Sequence, residues 1–213
     1  MTPKASKHPI LVPIDFSPGS EAAILQAAEL AEALQAPVTI LHIVHDLTAT
    51  PGYKELKGAK KQLRRMEDVA HDLLQEYMQE IQKKHPDLGA LHNAEILLLV
   101  GIPVTRILEA SEKIDARMIV MGSQGRTGLS HLMLGSKAEQ VVRLAGIPVM
   151  IVQGDKDTAV PITYTRQWID TMKEIGMKYE YIELPGGDHG TVIGDGMPDI
   201  FKFFAAHPKA GVQ

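Results

Sequence analysis

MGSQGRTGLSHLMLGSKAEQVV, from Met121 to Val142, is the stretch that decides how this chain is read. Arg117 to Met121 reads as a short strand, and Lys137 to Leu144 as a helix. Between them lie Gly122, Gly125 and Gly135, with Ser136 at the helix start. Glycine lets backbone N–H groups come close to a ligand and accepts positive φ. The N–H and hydroxyl of Ser136, together with the helix dipole, favour an anion at that point. Lys137 adds a positive charge. Strand-to-helix loops often carry glycines for turning alone. The spacing, the strand before it and the Gly-Ser pair at the helix start favour a phosphate loop instead.

Outward from this loop the chain alternates strand and helix. Ile10 to Ile14 is a buried strand ending in Asp15. Ser17 and Pro18 form a helix start, a capping hydroxyl before a proline at the first helical position. Ile24, Ala27, Ala31 and Leu34 recur on one face of the helix that follows. Val38 to Val44 is a second strand, and Leu47 to Lys57 a loop. Gly58 to Lys84 is a long amphipathic helix, its apolar stripe formed by Leu63, Met66, Ala70, Leu73, Tyr77 and Ile81. Ala94 to Val100 is the third strand, and Pro103 opens a helix that runs to Ile114. Val149 to Val152 is the fifth strand. This order implies a parallel sheet covered by helices. Right-handed crossovers bring Asp15, Ile43 and the Gly122 loop to one edge, where such folds bind ligands. Asp15 has a competing use as a helix cap, but Ser17 is the better cap and leaves Asp15 for a ligand.

The pattern Gly122-x2-Gly125-x9-Gly135-Ser136 resembles the nucleotide-binding signature of the ATP-binding branch of the universal stress protein family. Ile10 to Ser17, Leu41 to Val44 and Gly146 to Val152 fit the same family, and the resemblance covers roughly residues 8 to 152. It implies that Pro13, Asp15 and Ile43 line an adenine and ribose pocket. It further implies that Met121, Gly122, Gly125, Gly135 and Ser136 hold ribose and phosphates. Lys137 stands where the family often has a further hydroxyl, so its charge falls near the terminal phosphate. The ligand expected is ATP, or ADP or AMP, with Mg2+ as an accompanying ion. At most slow ATP hydrolysis is expected, and the chain reads as a binder or sensor rather than an enzyme.

After Val152 the likeness changes. Gln153 to Pro161, Glu183 to Gly190 and Met197 to Phe204 resemble the C-terminal part of an α/β-hydrolase of the dienelactone hydrolase or peptidase kind, over roughly residues 147 to 208. By motif, Asp157 matches the acid of a catalytic triad and His189 its base. No Gly-x-Ser-x-Gly nucleophile elbow occurs in the chain, and acid and base without a nucleophile make no serine hydrolase. The pair is expected to be vestigial. The alternatives are an esterase or peptidase built on His189, or a folded chimera, natural or engineered, with neither activity. The expected architecture is one doubly wound, mostly parallel, Rossmann-like sheet. Five strands in order 3-2-1-4-5 would be extended by a sixth from the tail. Residues 1–152 would form the nucleotide-binding domain and 153–213 the extension, with the strand 148–152 shared. That extension would cover the fifth-strand edge, so a monomer, or a dimer built elsewhere, is expected.

Composition bounds the rest. A chain of 213 residues, 45% hydrophobic and 23% charged, can bury a sizeable core. A net charge of -4 gives no reason for nucleic acid or an anionic membrane as partner. The absence of cysteine excludes disulfides, thiolate metal sites and a cysteine nucleophile. One Trp, five Tyr and four Phe argue against a base-stacking platform. No apolar run approaches the ~18 residues of a membrane helix, and no signal peptide is read, so the cytoplasm is expected. His42 and His45 have a zinc-like spacing but no accompanying ligand cluster, so no metal site is expected.

Overall fold

The computed structural model describes residues 8–45, 59–122, 136–146, 149–156, 162–174 and 179–188, with positions 196, 198–200, 202–203 and 206. The chain divides into two compact units. One comprises Met1–Gly128 and Ser136–Val141, the other Leu129–Gly135 and Val142–Gln213.

The first unit is built on β1 (Ile10–Ile14), β2 (Val38–His45), β3 (Glu95–Gly101) and β4 (Met118–Ile119). They form a parallel sheet in the order β3-β2-β1-β4. All five residues of β1 are buried, as a strand covered on both faces requires. Leu11 and Leu41 share a core with Val104, Ile107 and Ala110 of α4 (Pro103–Lys113) and Val141 of α5 (Ser136–Leu144). Their neighbours Ile10, Val12 and Ile40 alternate to the opposite face, where α1 (Pro18–Leu34) packs against β1 and β2. Ile24, Ala27 and Ala31 of α1 are buried, as its periodicity predicts. Proline opens both α1 and α4, at the position where its missing N–H costs nothing.

The long helix α2 (Ala59–Lys84) departs from expectation in its facing. Ala70, Leu74, Met78 and Ile81 are buried, whereas Met66 and Leu73 are 52% and 49% exposed. The buried stripe advances by four, four and three residues, so it excludes part of the stripe read from the sequence. Both stripes have helical periodicity, and only packing against the sheet selects between them. The one-turn helix α3 (Gly89–His92) falls where the sequence shows only helix-ending residues.

In the second unit β5 (Val149–Gly154) and β6 (Tyr179–Leu184) pair in parallel, with α6 (Ile162–Glu174) between them in the chain. Positions 198–200 and 202–203 are helical. The expected single sheet of order 3-2-1-4-5-6 is corrected: the strands form a four-stranded and a two-stranded sheet. The pairing decides it: β5 is in register with β6 over six residues, Val149↔Tyr179 to Gly154↔Leu184, while the two residues of β4 pair with β1.

Candidate functional site

The site expected at the strand ends begins with Pro13. The Ile10 N–H donates to the Pro37 carbonyl at 2.8 Å, so the even positions of β1 bond toward β2. The Val120 N–H donates to the Leu11 carbonyl at 2.9 Å, so the odd positions bond toward β4. Pro13 is an odd position and has no N–H to continue that ladder. The β1–β4 pairing runs through Ile10↔Met118 and Leu11↔Ile119 and goes no further. The two strands are therefore released from one another at their C-terminal ends. This is also the point where the strand order reverses, the place at which open α/β sheets bind ligands.

Asp15 stands at that edge with its carboxylate fixed. Its Oδ1 accepts from the Ser20 hydroxyl at 2.8 Å and from the Ser17 N–H at 3.1 Å. Its own N–H donates to Ser20 Oγ at 2.9 Å. Ser17 is the N-cap of α1, its Oγ accepting from the Ser20 N–H at 3.2 Å, which is the cap role read from the sequence. Phe16 lies between them at φ 62°, a left-handed conformation. On the opposite side of the release point, Gly122 comes hard against α1. A Cβ placed on it would lie 3.0 Å from both the carbonyl carbon and the oxygen of Gly19. The end of β4 and the first turn of α1 meet backbone to backbone, and any side chain there would force that backbone to give by a few tenths of an ångström.

Met121 packs partly buried against the core that holds Leu11 and Val141. Ile43 pairs with Leu99 at the end of β2. Ser136 is the first residue of α5, and Lys137 is exposed in its first turn. Pro13, Asp15, Met121 and Gly122 thus lie at the ends of the neighbouring strands β1 and β4. Gly125, Gly135, Asp157 and His189 lie outside the described residues, as does most of the loop that the signature spans. The triad reading of Asp157 and His189 therefore has no geometry here.

Beside Ile43 a groove of about 720 Å³ opens between the end of β2 and α2. It is lined by Phe16, His42, Val44, Leu73 and Tyr77 among others. The Phe16 ring lies 4.5 Å from that of His42 and 5.3 Å, edge on, from that of Tyr77. His42 Nδ1 is 3.0 Å from the Ile14 carbonyl, which assigns the ring proton to Nδ1. Tyr77 Oη is buried with no hydrogen-bond partner among the described residues. Burial first, then the charges of Glu21 and Asp15, push its hydroxyl up to about 12. His42 is bound to the backbone, and no group of three or more metal-ligating side chains occurs among the described residues.

The family model described as the universal stress protein family matches residues 7–153. The chain belongs to that family. A universal stress protein of Methanocaldococcus jannaschii is 31% identical over 147 residues, covering 69% of this chain and 82% of the relative. The solved universal stress protein UspA of Lactobacillus plantarum superposes with TM-score 0.54 at 26% identity, covering 67% of this chain and 95% of its own. A universal stress protein of Archaeoglobus fulgidus, matched at TM-score 0.39 and 24% identity over 65% of this chain and 92% of its own, is in complex with dAMP. The matched region carries the four-stranded sheet and its release point. No helix among the described residues is long and apolar enough to cross a membrane.

Sequence reasoning missed Gly19, Ser20, Phe16 and Tyr77 as parts of this site. Gly19 and Ser20 carry a readable signal, since a glycine in the first turn of a helix has no propensity reason to be there. Phe16 and Tyr77 carry none. One looks like an ordinary apolar residue after a strand, the other like an ordinary member of a helical stripe.

Proposed function

We propose that this chain binds a nucleotide, ATP foremost, in the crevice where β1 and β4 part. The observation that carries the reading is the meeting of Gly122 with Gly19 beside the fixed Asp15 carboxylate. Glycine there lets the end of β4 lie against the first turn of α1, so both segments border the crevice beside Asp15. In this reading Pro13, Asp15 and Ile43 receive adenine and ribose, and Asp15 accepts from the sugar hydroxyls. Met121, Gly122, Gly125, Gly135 and Ser136 carry the ribose and phosphates, and Lys137 adds charge near the terminal one. The α5 dipole favours phosphate at Ser136. ADP and AMP are the alternative ligands, and Mg2+ would travel with the phosphates. The protein acts as a cytoplasmic binder or sensor with at most slow hydrolysis.

The segment from β5 to the C-terminal residues supports a second, lesser proposal. Its parallel strand–helix–strand order is what a hydrolase-like tail predicts, so Asp157 and His189 are read as a structural remnant without a nucleophile. The fusion of the two parts, natural or engineered, belongs to that proposal, and so do the domain limits 1–152 and 153–213. The extension would leave the chain a monomer, or a dimer built away from β5.

Calorimetric titration with ATP, ADP and AMP tests the main reading, together with a search for nucleotide released on heat denaturation. Saturable binding is expected, and Asp15→Asn should weaken it by roughly tenfold to a hundredfold, the loss of a charge-assisted hydrogen bond. A folded protein that releases no nucleotide and shows no titratable binding would overturn it.

A further inference from the structure

The groove beside α2 has a chemistry unlike that of a phosphate site. One stripe of α2 runs through Met66, Val69, Ala70 and Leu73, then reaches Tyr77 flanked by Glu76 and Glu80. Val69 is 57% exposed, so with Met66 and Leu73 it gives the helix an apolar stripe turned away from the core. That stripe forms one wall of the groove. At 1.5 Å per residue the apolar part spans about 10 Å before the first carboxylate. Across the groove stand Phe16, His42 and Val44. The groove is thus apolar at one end, aromatic in the middle and acidic at the other end. Asp15 and Glu21 add negative charge near Tyr77, so a phosphate is disfavoured here while a cation is favoured. A volume of about 720 Å³ suits a ligand of small-molecule size.

We propose that this groove binds a small amphipathic organic cation, its aromatic body along Met66, Val69 and Leu73 and its ammonium head between the Tyr77 ring and the carboxylates of Glu76 and Glu80. The faces of Phe16, His42 and Tyr77 suit both halves of such a molecule, stacking with the body and attracting the charge. Ile43 lines this groove and also belongs to the nucleotide reading, whereas Leu73, Glu76 and Glu80 do not, so substitutions at those three positions separate the two.

The test uses three probes on the full chain, read by ligand-observed NMR titration. They are 1-naphthylmethyl-trimethylammonium, its neutral isostere 1-neopentylnaphthalene, and naphthalene-1-sulfonate. The cation should bind saturably at one site, with the neutral isostere roughly tenfold weaker and the sulfonate weaker still. Glu76→Gln with Glu80→Gln should remove most of the cation's advantage over the neutral probe and leave the neutral probe unchanged. Leu73→Ser, at an exposed position that folding tolerates, should weaken both by about tenfold. Equal binding of cation and isostere overturns the proposal. So does cation binding that survives all three substitutions, and so does no saturable binding in a protein shown to be folded.

Discussion

Phe16 occupies a left-handed φ of 62°, a conformation that costs a bulky residue of order 1–3 kcal/mol. Two things hold it there. The Ser17 N–H reaches back to Asp15 Oδ1 across it, and its ring is seated on His42 and Tyr77. Nothing in the sequence signals this, because phenylalanine has no preference for such a turn. Pro13 and Gly122 are legible, since their effects follow from a missing N–H and a missing Cβ. Gly122→Ala puts a methyl 3.0 Å from the Gly19 backbone, which cannot move as a side chain can. A loss of about 1–3 kcal/mol in urea unfolding is expected, with nucleotide affinity falling further than the stability loss explains; unchanged affinity would argue against the crevice reading. Tyr77→Phe removes a buried hydroxyl that has no partner among the described residues, so a gain of up to about 1 kcal/mol is expected. Its pH dependence has a definite sign. The fold raises this hydroxyl from 10 to about 12, chiefly by burial, so its contribution is complete below pH 10 and is lost as pH rises toward 12. Spectrophotometric titration should show Tyr77 and Tyr181 ionising late, both raised chiefly by burial, and Tyr77→Phe should remove one of the two.

Among the elements, α2 and β6 show how far a periodic pattern can be read. A helix of 26 residues presents more than one apolar stripe, and periodicity cannot say which one the sheet covers. The stripe through Met66 and Leu73 is the groove wall, and the one through Leu74 and Met78 is the core. On β6, Glu183 takes two bonds from Arg166 of α6, Nε at 2.9 Å and Nη2 at 2.7 Å, and one from Tyr181 Oη at 2.8 Å. The Arg166 bond, then the Tyr181 bond, hold its carboxyl down to about 2. The ion pair lies at the surface, so salt screens it. The depressed value fixes the sign: its contribution is whole above the ordinary value of 4.5 and is lost as pH falls toward 2. Glu183→Gln should lower the melting temperature at pH 7 by a few degrees or less, and the difference from the parent should vanish near pH 2. A difference that persists at pH 2, or grows in high salt, would contradict the assignment.

The whole molecule separates into a four-stranded sheet and a two-stranded one, and their supports differ in kind. In the first, Ile10, Leu11, Val12, Ile40 and Leu41 are fully buried between helices on both faces. The second has two strands, too few for independent stability without a packed helix, and Met172 and Ile169 of α6 supply buried surface there. Most of the order of elements was legible, since apolar strand runs and proline or glycine punctuation recur through both parts. Which strands share a sheet was not, because Val149 to Val152 suits the end of one family and the tail of another equally well, and only pairing decides. The turn after β6 is braced by Asp155, whose Oδ1 accepts from the Gly186 N–H at 2.7 Å, where Gly186 takes a φ of 77°. Hydrogen exchange should then sort the strand amides into two classes, opening free energy following burial and packing density. The amides of β1 and β2 should exchange only through global opening. Those of β5 and β6 should exchange at least about tenfold faster, through a separate and smaller opening. Asp155→Ala should speed the second class alone, because it frees the turn that closes β6 without touching the larger core. Equal protection of all four strands, or a change in β1 and β2 on that substitution, would mean the two sheets unfold as one.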